Sequence, residues 1–96
     1  MTQRAAFSFR LYMAGDAPNS LEALANLRSL CEKHLPKRYE IELVNVFRHS
    51  KRALADGIFL TPSLVRLAPQ PTRKIVGTLS DTRTVMQALG LAVKAP

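Results

Sequence analysis

Phe7-Ser8-Phe9-Arg10-Leu11-Tyr12-Met13 alternates apolar and polar positions, then turns almost continuously apolar, the pattern of a strand buried at one end. Ala14-Gly15-Asp16-Ala17-Pro18-Asn19 is turn chemistry, with Gly15 open to unusual dihedrals and Pro18 fixed in φ. Asn19 suits a helix N-cap, because Glu22 then stands where a capping box needs an acid. The spacing predicts a helix over Ser20–His34. Its apolar stripe is Leu21, Leu24, Leu27, Cys31 and Leu35, widened by Ala23 and Leu30, and Pro36 stops it. Tyr39 to Phe47 alternates again and reads as a second strand, which makes a parallel βαβ unit. His49 to Asp56 is a short polar helix ended by Gly57. Leu64–Leu67 and Lys74–Val76 are short strands flanking the turn Ala68-Pro69-Gln70-Pro71-Thr72. Ser80 is placed to cap a last helix from Asp81 to about Leu91, with Val85, Met86 and Leu89 on its apolar side.

The order β-α-β-α-β-β-α, with Thr61-Pro62 just before the third strand, is that of the α/β thioredoxin fold. That fold carries a cis peptide bond at this proline, which an X-Pro bond adopts at a cost of only about 0.5–1 kcal/mol. Enzymes of this shape place C-x-x-C at the first helix N-terminus, where the helix dipole lowers a thiol pKa. Here the loop Gly15–Ser20 has no thiol, and Cys31 lies on the apolar stripe as a core residue. Ser20 has no base beside it in sequence, and His34 and His49 share no ligand spacing with each other or with Cys31. No acid/base pair, P-loop or dinucleotide fingerprint is present. The sequence predicts no catalytic residue, no metal and no cofactor.

Ninety-six residues, 47% hydrophobic and 22% charged, form one globular domain spanning 1–96, with 1–6 and 93–96 expected to be flexible ends. No apolar run reaches the ~18 residues of a membrane span, and Met1–Arg10 lacks the apolar stretch of a secretion signal. Both features point to the cytoplasm. Fourteen Lys and Arg against seven Asp and Glu leave a net charge of +7, which favours an acidic partner. The basic residues are spread nearly evenly, densest from Arg48 to Arg52. The six aromatics are Phe7, Phe9, Tyr12, Tyr39, Phe47 and Phe59, all in or beside strands where the core would use them. Nucleic acid binding is therefore expected to be weak, salt-sensitive and unspecific. The candidate partner-binding residues are Arg48, Lys51 and Arg52, with Arg73 and Lys74 of the hairpin second.

Three stretches are not generic: Leu11-Tyr12-Met13-Ala14-Gly15-Asp16-Ala17-Pro18-Asn19-Ser20, Thr61-Pro62-Ser63-Leu64-Val65, and Pro69 to Ser80. Together they resemble the KaiB family of bacterial clock proteins over about Phe7 to Leu91, with Gly15, Pro18, Asn19, Thr61 and Pro62 as the structural motif. The resemblance implies a non-enzymatic regulator that docks on a KaiC-type ATPase. KaiA or a thioredoxin-like sensor kinase joins only where the organism has them. It also implies a second fold, βαββααβ, populated as a dimer or tetramer at high concentration. In that fold Ala53–Leu60 is partly strand and the last helix is shortened. Pro62, Pro69 and Pro71 limit register, and Gly57 and Gly77 allow rehinging. The family's Gly-Asp-Leu-Ser is Gly77-Thr78-Leu79-Ser80 here, and Ala92-Val93-Lys94-Ala95-Pro96 holds no acidic tail. Those departures point to a paralogue serving a stress or timing system. The alternative reading is a thioredoxin-like adaptor or sensor module with an unrelated acidic protein partner.

Overall fold

The computed structural model describes residues 6–91. Its elements are β1 (Phe7–Met13), α1 (Pro18–His34), β2 (Tyr39–Asn45), α2 (Ser50–Ala55), β3 (Ser63–Ala68), β4 (Arg73–Val76) and α3 (Thr82–Ala88). They form one four-stranded sheet in the order β2-β1-β3-β4. β1 pairs with β2 in parallel, Phe7 opposite Tyr39 through Met13 opposite Asn45. It pairs antiparallel with β3, which pairs antiparallel with β4. This is the thioredoxin-like order that the hydrophobic pattern predicts, and Thr61–Pro62 is cis, as are Ala68–Pro69 and Gln70–Pro71.

Alternation along β1 divides the core in two. Phe9, Leu11 and Met13 pack with Leu64 of β3 against Ala23, Leu27, Leu30 and Cys31 of α1 and Val85 and Met86 of α3. On the other face Tyr12 joins Val44 and Val65 under Ala53 and Ile58. The second core is small because α2 has only six residues to cover it.

The boundaries depart from expectation at caps. α1 begins at Pro18, not Ser20, and Ala17 is its N-cap with no side-chain bond, so the Asn19–Glu22 capping box does not form. Proline at the first helical position needs no donor satisfied and has φ preset, which moves the start forward. Ser20 then takes the inward position of the first turn, and Leu21, expected on the apolar stripe, is 47% exposed. The end holds as read: Leu35 donates its N–H to Cys31 O at 2.7 Å, one residue before Pro36. α3 is capped by Asp81 rather than Ser80. Asp81 accepts from Thr84 N at 3.2 Å and Thr84 Oγ1 at 2.9 Å. α3 stops at Ala88, short of Leu91, because Gly90 follows in the left-handed region (φ +75°). β2 stops at Asn45, whose Oδ1 accepts from Phe47 N at 3.0 Å and Gly15 N at 3.2 Å and turns the chain away. In this single chain residues 53–55 close α2 and 56–60 hold no strand. The expected flexible ends lie outside the described residues except for Ala6.

Candidate protein-docking site

The second face of the sheet is built on a charged network that fixes α2. Arg10 and Tyr12 point to this face from β1, and Glu42 joins them from β2. Arg10 Nε donates to Glu42 Oε1 at 2.8 Å, and its Nη1 donates to Asp56 Oδ2 at 3.0 Å. The Tyr12 hydroxyl donates to the same Asp56 oxygen. From α2, Arg52 Nη2 reaches the other Glu42 oxygen at 2.6 Å. From β4, Lys74 Nζ donates to the Asp56 carbonyl at 2.5 Å. Asp56 is the C-cap of α2, so bonds from β1 and β4 end where the helix ends. Bonds from Arg10 and Arg52 hold the Glu42 carboxyl below the ordinary range. The Tyr12 bond, and then the Arg10 bond, do the same to Asp56. Burial first, then Asp56, pushes the Tyr12 phenol up.

Over this anchored helix the surface is apolar. Phe47 is 75% exposed, Phe59 80%, Leu60 64% and Leu54 62%. Val46, Ala53, Leu54, Ile58 and Phe59 line a groove of about 280 Å³, and Thr61, next to the cis proline, is also on its wall. Phe47 and Phe59 were expected in the core, and the structure corrects that. Tyr12, Val44 and Val65 already fill the space under α2, so the flanking aromatics are left outside. Phe47 lies above Gly15, where a Cβ would meet its ring at 3.5 Å; the +54° φ of Gly15 shapes that approach. Large exposed apolar groups grouped round one short helix make this face a candidate interaction surface.

The five candidate basic residues do not form one group. Arg48 and Lys51 are exposed beside the groove and in none of the ion pairs among the described residues. Arg52 and Lys74 are committed to Glu42 and Asp56. Arg73 is opposite Arg66 in register and Lys74 opposite Val65, so the two point to different faces of the sheet. In the motif, Pro18 opens α1 and Asn19 is exposed. The position where thioredoxin-type chemistry would sit holds Ser20, whose buried hydroxyl accepts from Ala14 N at 3.0 Å. Cys31 is fully buried, and burial, with Glu32 adding, pushes its thiol up to about 12. Such a thiol is not a nucleophile at neutral pH.

Known proteins of similar structure include the N-terminal domain of Synechococcus elongatus SasA. It superposes with a TM-score of 0.75 at 15% identity over all of this chain and 94% of that one. Mitochondrial thioredoxin 3 of Saccharomyces cerevisiae gives 0.71 at 14% over 91% and 80%. These likenesses concern the fold. In sequence, the chain is 37% identical over 91 residues to the circadian clock oscillator protein KaiB of Prochlorococcus marinus (strain MIT 9313), covering 95% of this chain and 76% of that one. The corresponding protein of Gloeothece citriformis is 37% identical over 94% and 85%. The KaiB domain matches residues 10–91, from Arg10 of the network through the groove to the end of α3, and the chain belongs to the KaiB family.

Proposed function

We propose that this chain is a non-enzymatic regulatory protein of a circadian or related timing system, acting by docking on a KaiC-type ATPase through the α2 face. Its curated relatives are named as clock oscillator proteins, which supports the regulatory role. The observation that carries the docking surface is the exposed set Phe47, Leu54 and Phe59, flanked by the uncommitted Arg48 and Lys51. An apolar centre with a basic rim suits a partner with a complementary apolar patch and an acidic border. KaiA or a sensor kinase belongs to the reading only in an organism that has one.

The resting form in this proposal is a dimer or tetramer in the βαββααβ arrangement. Interface burial adds stabilisation that grows with concentration, so dilution shifts the population to the monomer. An NMR dilution series read against sedimentation tests it. One set of peaks from a monomer at every concentration, helical at Ser50–Ala55, overturns that part.

Docking is tested by titrating the chain into a KaiC-type ATPase from its own organism. Arg48→Glu with Lys51→Glu should slow association about tenfold and flatten its salt dependence. Phe59→Ser should speed dissociation. Arg52 is left alone, because reversing it breaks the Glu42 pair and unsettles α2. Wild-type binding with both variants unchanged removes this face. No binding at all leaves the thioredoxin-like adaptor with another acidic partner.

A further inference from the structure

Among the described residues one charged side chain is buried. Arg66 of β3 is 5% exposed and shares a face with Leu64 in the larger core. No carboxylate pairs with it among the described residues. Its cross-strand neighbours are Phe9 on one side and another cation, Arg73, on the other. All its bonds go to main-chain carbonyls. Nη1 donates to Leu89 O at the end of α3, and Nη2 donates to Pro71 O in the β3–β4 turn at 2.6 Å. Nε is sealed from solvent with no partner among the described residues.

We propose that Arg66 is a pin that joins the β3–β4 turn and α3 into a single opening unit. A guanidinium at a helix C-terminus is favoured by the helix dipole and by the free carbonyls there. A buried guanidinium lacking a counter-charge is costly, and each carbonyl bond offsets part of that cost. Either contact therefore needs the other. When the end of α3 lifts, Arg66 loses the Leu89 carbonyl and follows it into water, which breaks the bond to Pro71. When the turn lifts first, the same sequence runs in reverse. Residues 6–45 make no hydrogen bond to this side chain. Gly90 is part of the device: a Cβ there would come within 3.1 Å of Arg66 Nη1, in a backbone conformation that already disfavours one.

This inference rests on the Arg66 contacts alone and stands or falls apart from the docking reading. Native-state hydrogen exchange on the full chain, in a series of low urea concentrations, tests it. Peptides covering 68–76 and 82–91 should show one opening equilibrium with one urea dependence, distinct from that of α1. Arg66→Met removes the charge and both bonds at similar length. In that variant the two segments should separate, their protection differing at least fivefold, while α1 and β2 stay within twofold of wild type. Arg66→Lys, too short to hold both carbonyls, should separate them as well. Different urea dependences in the wild type overturn the proposal, and that measurement needs no variant to fold. Segments that still exchange together in both variants overturn it too.

Discussion

Replacing Tyr12 by Phe removes one hydroxyl from beneath α2 and leaves the ring volume in place. The Tyr12 ring is fully buried, and its hydroxyl donates to an ionised carboxylate, Asp56. A bond to a charged acceptor is worth about 1.5–3 kcal/mol. Two features reduce that here. Arg10 keeps its own bond to the same oxygen at 3.0 Å, and the Asp56 side chain is 34% exposed, so water can replace the phenol. The expected loss is about 1–1.5 kcal/mol, or roughly 5–10 °C in Tm for a domain of this size. Asp56 is held below its ordinary pKa in the fold, chiefly by Tyr12. Its contribution is present above the ordinary carboxylate value, about 3.9, and is lost as pH falls through the depressed value. The Tyr12 phenol is raised, so its contribution is complete below about pH 10 and is lost as pH rises through the raised value. The gap between wild type and Tyr12→Phe should therefore be widest near neutrality and narrow at both ends. Urea unfolding of wild type, Tyr12→Phe, Asp56→Asn and the double variant, repeated across pH, measures both the loss and the coupling. A coupling below ~0.3 kcal/mol, within ordinary additivity error, or a gap constant from neutral pH into acid, would refute the reasoning.

Ser20→Ala leaves the Ala14 N–H without its acceptor and should cost about 1–2 kcal/mol in denaturant unfolding. Leu27→Ala, at the centre of the α1 face, should cost about 2–5 kcal/mol. Phe59→Ser should stay within about 0.5 kcal/mol, since the ring is 80% exposed. Cys31 should react with a thiol reagent at neutral pH only as fast as the chain opens, and at full speed in denaturant. Prompt reaction of the native protein would show that the thiol is not sealed.

The strands and the helices were legible because their signals are local. β1 shows its period in seven residues, and α1 carries its stripe on the helix itself, with its proline stop two residues beyond. The charged network was not legible. In sequence Asp56 is only the last residue of a short polar helix, and what makes it an anchor comes from Arg10 and Tyr12, on the far side of α1 and β2. Phe47 and Phe59 were misplaced for a related reason. An aromatic beside a strand is core or surface according to how much helix covers that face, and six residues cover little. Arg66 gave no signal beyond its alternation with Leu64 and Val65, since its partners are carbonyls, which every sequence has. Among the basic residues, charge density singled out Arg48 to Arg52, but could not separate a free Lys51 from an Arg52 already bonded to Glu42.

The strand order β2-β1-β3-β4 also bears on how the chain leaves the ribosome. β1, α1 and β2 emerge first and can assemble, yet the other edge of β1 waits for β3, about twenty residues later. At ~5–20 residues per second this interval is roughly one to four seconds. Throughout it, a strand carrying Phe9, Leu11 and Tyr12 presents unpaired amides along one side, and Arg10 is its one charge against pairing with a neighbouring nascent chain. Translation pauses that hold the chain with Asn45 outside the ribosome and Ser63 still inside should therefore lower soluble yield more than equal pauses after Ala68 has emerged.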